Sequence, residues 1–234
     1  MTRPAPTHVL LDFFGTIVTY SPGPDAQPYR RSHEMVAAMG ATVGYADFLQ
    51  VWEWESAQLE ERSAADYREH SMADIAERCL VRLLRRQPAA AEVTSFAQSY
   101  LADWNAGVCY PPFAGSTIRA LAARYRLAVV SNTLDAKLVP GHLAAMGLDG
   151  YFDAVVTSIE VGWRKPHPAI YARALRRLGT DAGSVVFAGD TYDTDYAGPA
   201  SVGLTAFLID PQQRHDIPAS RRLRSLADLP ARLA

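Results

Sequence analysis

At 234 residues, 49% apolar and 21% charged, the chain is long enough for one large domain or a core carrying a smaller insertion. A net charge of −2 gives no electrostatic footprint for nucleic acid or anionic membrane, and no segment reaches transmembrane length. The two cysteines, Cys79 and Cys109, lack metal-ligand spacing and read as free thiols of a reducing cytoplasm.

The first element is the apolar run His8-Val9-Leu10-Leu11, followed by Asp12-Phe13-Phe14-Gly15-Thr16-Ile17-Val18. It reads as a buried strand that delivers a carboxylate to its C-terminal end, where open α/β sheets bind ligands. Taken alone, Asp12 could equally cap the next turn. The same run carries Asp12 in its middle and lacks a small-residue cleavage site, so no secretory leader is expected. Ser21-Pro22-Gly23-Pro24-Asp25, with Pro28 behind it, is a breaker cluster suited to a hinge. From 29 to 106 the periodicity is helical. A short helix over Tyr29 to Met39 precedes a longer, polar one marked by Phe48, Trp52 and Leu59. Met72, Ile75, Ala76, Cys79, Leu80, Leu83 and Leu84 then share one face, and Val93, Phe96, Ala97, Tyr100, Leu101 and Trp104 another. Four helices without an intervening strand predict a small bundle. Trp52, Trp54, Tyr67 and Trp104 read mostly as its core, and Arg30, Arg31 and His33 as a solvated face.

Gly107, Pro111-Pro112 and Gly115 form a second breaker cluster. Beyond it come a helix from Ser116, strand 127–131, helix 134–146, strand 153–157, helix 167–178, strand 184–189, helix 195–202 and strand 204–209. This alternation predicts a parallel, Rossmann-like α/β sheet that needs the first strand to complete it. The predicted domains are a core, 1–20 with 108–234, and an inserted helical unit, 21–107.

Four segments sit at strand ends or helix starts: Asp12 with its Gly-Thr turn, Ser131-Asn132-Thr133, Lys165-Pro166, and Gly189-Asp190-Thr191-Tyr192-Asp193-Thr194-Asp195. In that order they resemble the haloacid dehalogenase-like hydrolase superfamily over nearly the whole chain. The resemblance implies that Asp12 is a nucleophile forming a covalent aspartyl intermediate. The Ser131 hydroxyl and the Asn132 backbone N–H would meet the oxygens of the transferring group, with Thr16 also binding substrate. Lys165 would offset repulsion between an anionic substrate and Asp12. It is one of only two lysines in the chain, and the other, Lys137, lies outside every motif and reads as a surface residue. Mg²⁺ would be held by Asp12, Asp190 and the main-chain carbonyl of Phe14, supported by Asp195, with Asp193 an alternative for that last role. The helical insertion corresponds to a cap closing over the site about hinges near 20–28 and 107–112.

Phe14 departs from the pattern. The phosphatases of this superfamily have an Asp there, which protonates the leaving oxygen and then activates water. Dehalogenases, which need no metal, have an aromatic residue there but replace the Gly-Asp of the fourth motif, which is intact here as Gly189-Asp190. Phosphonatases need a cap lysine, and residues 21–107 contain none. The expectation is a cytoplasmic, Mg²⁺-dependent phosphatase acting on a small organic phosphate, monomeric or homodimeric. A 2-haloacid dehalogenase-like hydrolase and a non-catalytic binding protein of the same fold are the alternatives.

Overall fold

The computed structural model describes residues 5–21 and 29–234. The first hinge cluster therefore lies almost wholly outside the described residues. By internal contact the chain forms two compact units: the described residues up to Thr19 with Tyr110–Ala234, and Tyr20–Cys109.

The larger unit is the α/β core. Its sheet contains β1 (His8–Leu11), β4 (Arg126–Ser131), β5 (Ala154–Thr157), β6 (Val185–Gly189), β7 (Thr205–Ile209) and β8 (Arg222–Leu223). The strand order is β5-β4-β1-β6-β7-β8, and every pairing is parallel. β1 lies between β4 and β6, with Leu11 beside both Val129 and Ala188. Since strands progress outward on both sides of β1, its carboxyl end is the switch point where such sheets leave a crevice. The strands are apolar without alternation because both faces are covered. Leu10, Val130 and Phe187 pack with Ile170, Tyr171 and Ala174 of helix α8 (Pro168–Leu178) on one face. Val9, Leu11 and Val129 are fully buried as well. Full burial of each such side chain stabilises by ~1.5–3 kcal/mol.

Other core helices are α5 (Ala114–Ala122), α6 (Leu138–Ala145), α7 (Ser158–Val161), α9 (Gly198–Ser201) and α10 (Leu229–Arg232). α6 begins four residues later than its predicted start. Asp135 Oδ1 accepts from Lys137 N at 2.8 Å, an Asx turn that competes with helix at 135–137. The helix expected at 195–202 is instead a wide π-type turn over Tyr192–Ala197 followed by α9.

The smaller unit comprises α1 (Arg30–Ala38), α2 (Tyr45–Asp66), α3 (Met72–Leu84) and α4 (Ala90–Asn105). Short strands β2 (Thr19–Tyr20) and β3 (Val108–Cys109) pair where the chain crosses between units, so the second breaker cluster includes a strand. α3 starts in a capping box: Ser71 Oγ accepts from Asp74 N at 3.1 Å, and Asp74 Oδ2 accepts from Ser71 N at 2.7 Å. α2 and α3 are joined by the buried Glu55 carboxylate, which accepts from Arg78 Nε and Arg82 Nε at 2.9 Å each. Phe48, Trp52, Leu59, Ile75, Leu80 and Phe96 form the unit's core.

Two sequence expectations are corrected in this unit. Of the four singled-out aromatics only Trp52 is core. Trp54 and Tyr67 are exposed, the former lying under the Arg82 guanidinium, and Trp104 stacks on Tyr20. His33 is not on a solvated face: its Nε2 bonds the Val43 carbonyl at 2.9 Å and its ring packs on Phe48. Arg30 and Arg31 are exposed as expected.

Candidate active site

Three strand ends set the site. Asp12 follows β1, Ser131 closes β4 and Asp190 follows β6, so the parallel register places all three along one edge of the sheet. Immediately after Asp12 the chain turns sharply. Gly15 N donates to the Val18 carbonyl at 2.7 Å, and Ile17 N and Val18 N both donate to the Phe13 carbonyl. Gly15 has φ +86°, and a Cβ on it would overlap the Asp190 carboxylate. Glycine is required here both for the backbone angle and for the approach of Asp190.

Lys165 is buried and its ammonium joins two carboxylates. Nζ donates to Asp12 Oδ1 and to Asp195 Oδ1, both at 2.7 Å, and lies 5.4 Å from the centroid of the Phe187 ring. Its backbone is held from β4. Asn132 Oδ1 accepts from Lys165 N at 2.7 Å, while Asn132 Nδ2 donates to the Lys165 carbonyl at 3.1 Å. The Asn132 side chain thus serves Lys165, which leaves only its main chain for the expected contact with substrate. Ser131 Oγ donates to the Asn132 carbonyl at 3.3 Å, and Ser158 Oγ accepts from Thr133 N at 2.9 Å, bracing the same loop.

The turn after β6 carries the remaining carboxylates. Asp195 uses both oxygens, Oδ1 toward Lys165 and Oδ2 accepting from Thr191 N at 3.0 Å. Asp193 is exposed. Below the turn, the Tyr171 hydroxyl donates to the Thr194 carbonyl at 2.6 Å. Asp12, Asp190 and Asp195 each offer an oxygen within 4.8 Å of the others, a grouping suited to a metal ion. Asp12 Oδ2 and Thr16 Oγ1 are buried without a hydrogen-bond partner. An orphaned carboxylate oxygen in an all-oxygen acidic group fits a hard cation such as Mg²⁺.

Electrostatics follow from the crowding. Burial, followed by Asp195 and Asp190, pushes Asp12 up to about 7 against the pull of Lys165. Burial and Asp195 also raise Asp190. Burial opposes the charge on Lys165, but Asp12 and Asp195 outweigh it and hold the ammonium above its ordinary value.

Phe14 is half-buried in aromatic surroundings. Its ring meets Phe13 edge-on at 4.9 Å and His142 edge-on at 6.1 Å, and His142 Nδ1 bonds the Tyr110 hydroxyl at 2.9 Å. Burial lowers the pKa of His142. Lys137 is exposed and outside the cluster. Of the residues singled out in the motifs, Asp12, Lys165, Asp190 and Asp195 converge directly, while Ser131, Asn132 and Thr16 line the adjoining loops. Tyr171 and His142 escaped the sequence reading: each falls inside a helix at a position indistinguishable from ordinary core spacing.

A parallel α/β sheet presenting buried carboxylates and one ammonium at the carboxyl edge of its first strand, with a helical unit inserted after that strand, defines a recognisable class of protein. The chain belongs to the haloacid dehalogenase-like hydrolase family, whose model matches residues 6–203. It is 41% identical over 123 residues to haloacid dehalogenase-like hydrolase domain-containing protein 3 of Homo sapiens, a match covering 50% of this chain and 48% of that protein. The chain thus spans about half the length of that relative. It is also 24% identical over 210 residues to ribulose-1,5-bisphosphate 5-phosphatase of Halopiger xanaduensis, covering 90% of this chain and 87% of that protein. A 2-haloacid dehalogenase from Pseudomonas syringae has the same fold, with a TM-score of 0.71 at 23% identity over 97% of this chain and 98% of the other. No helix among the described residues is long and apolar enough to cross a membrane.

Proposed function

We propose that this hydrolase is a Mg²⁺-dependent phosphatase that acts on a small organic phosphate through an aspartyl-phosphate at Asp12. The observation that carries the reading is Asp190 beside Asp12 in a buried group where three carboxylates face one ammonium. That excess of negative charge suits a divalent cation, whereas displacement of halide at carbon has no use for it. Among relatives, the 90% coverage of this chain by a sugar bisphosphate phosphatase supports the same class of substrate.

In this reading Asp12, the Phe14 carbonyl and Asp190 would hold the metal, with Asp195 in support. When bound, the ion would supply Lewis-acid stabilisation to the phosphoryl oxygens. Lys165 favours the ionised form of Asp12 against burial and offsets the charge of the arriving phosphate. An Asp12 oxygen bonds to phosphorus as the ester P–O bond breaks, and the leaving oxygen takes its proton from solvent. The Ser131 hydroxyl and the Asn132 backbone N–H receive charge on the phosphoryl oxygens. Water then attacks phosphorus, the bond from phosphorus to the Asp12 oxygen breaks to restore the carboxylate, and the water's proton passes to solvent. Phe14 can neither protonate the leaving oxygen nor activate that water, so substrates with acidic leaving groups are favoured.

The test measures phosphate release from alkyl and aryl phosphates, and halide release from 2-haloacids, with Mg²⁺ and with a chelator. Mg²⁺-dependent phosphate release with aryl esters preferred is expected. Halide release undiminished by chelation would overturn the reading in favour of dehalogenation. Phe14→Asp should raise turnover of alkyl phosphates by at most the ~10²–10⁴ of general acid–base catalysis. The aromatic packing of Phe13 and His142 around position 14 will hold the gain toward the lower end.

A further inference from the structure

Lys165 is flanked by two aromatic side chains two residues to either side, Trp163 and His167. Their rings lie face to face, with centroids 3.9 Å apart and planes 9° from parallel. His167 N donates to the Arg164 carbonyl at 2.9 Å, closing the turn on which Lys165 sits. The same His167 accepts through Nδ1 from Ala169 N at 3.2 Å, so its ring also caps α8. One imidazole therefore ties the near side of the turn, the far side and the following helix together.

The need for such a device comes from the geometry of Lys165. Its ammonium must meet Asp12 and Asp195 simultaneously at 2.7 Å, at the end of a flexible four-carbon stem. Asn132, just after β4, fixes the Lys165 backbone at that one residue through its amide, and the Trp163–His167 stack spans the residues to either side. We propose that the Trp163–His167 stack is a positioning pair that holds the Lys165 turn in the register at which the ammonium bridges both carboxylates. The inference rests on Lys165 acting as the neutralising group described above. In this role the pair acts through Lys165.

The composition of the chain makes the test direct. Lys137 and Lys165 are the only lysines, and Lys137 is exposed and outside the site. In a Lys137→Arg background, ¹⁵N-lysine labelling leaves Lys165 as the single ammonium reported. Its Nζ resonance should be sharp and slowly exchanging in the otherwise unchanged protein. Trp163→Ala and His167→Ala should broaden or shift it, and lower kcat by up to about 10²-fold, the cost of misplacing a reacting group by about an ångström, with KM little changed. Trp163→Phe and His167→Phe, which keep a stack, should restore both readouts. His167→Asn, which can cap α8 but cannot stack, should not. This Phe against Asn comparison decides the matter even where an alanine variant fails to fold. An unchanged resonance and kcat in the alanine variants, or full rescue by His167→Asn, would overturn the proposal. A resonance that follows the stack in a protein releasing no phosphate from any ester would uphold the positioning pair and sink the phosphatase reading.

Discussion

Asp12 must be ionised to act and sits where ionisation is disfavoured. Burial, then the charges of Asp195 and Asp190, carry it up to about 7, against ~3.9 for an unfolded Asp. Between those two values the native protein holds a proton that the unfolded chain has lost. Stability therefore falls as pH rises from about 4 to about 7, since the slope follows protons bound unfolded minus protons bound native. In the presence of a chelator, the melting temperature should drop across this window. Asp12→Asn should shrink the drop, leaving the part due to the raised Asp190, and be the more stable protein at pH 8, while the two converge toward pH 4. Thermal melts at several pH values measure this. Parallel curves for both proteins would mean that Lys165 already compensates the cluster fully. At the same scale, the sequence made Asp12, Lys165 and Asp190 legible because each ends a strand or opens a helix. It could not reveal that Asn132 spends its amide on Lys165, because that contact joins residues 33 positions apart.

The strands of the core were legible because central parallel strands, covered on both faces, read as unbroken apolar runs. α3 and α4 were legible for the complementary reason, a single apolar face at three-and-four spacing. Other elements fall below what local pattern can carry. β8 has two residues and is defined by pairing with β7. Trp54 follows Trp52 by two positions, about 200° around a helix, so burying one exposes the other. The pattern reads as helix only from 195, but the chain already turns over Tyr192–Ala197, widened where Asp195 must reach Lys165 and Thr191 N together. Helix α8 supports this turn through the Tyr171 hydroxyl at the Thr194 carbonyl. Tyr171→Phe preserves the ring against Phe187 and removes only that donor, at an expected cost of ~1–3 kcal/mol in chemical denaturation. A variant as stable as the parent would show the hydroxyl to be idle.

At the scale of the whole chain, each unit carries its own hydrophobic core, Leu10, Val130 and Phe187 in one and Phe48, Ile75 and Phe96 in the other. The candidate metal ligands belong to the first unit alone. A ligand that binds only the native form stabilises whatever unfolds with its site, by ~2.7 kcal/mol at a hundred times its Kd. Cooperative opening is a property of contiguous units, and local opening can leave other units untouched. Mg²⁺ should therefore slow amide exchange in β1, β4 and β6, while exchange in α2 and α3 stays as it was. Asp190→Asn should abolish the difference without altering exchange in the chelated protein. Hydrogen exchange followed by mass spectrometry, with and without Mg²⁺, separates the possibilities. Equal protection of both units would mean that they open as one. Protection of neither, at millimolar Mg²⁺, would remove the metal from the site and with it the reason for a third carboxylate, Asp190, beside the two that Lys165 pairs.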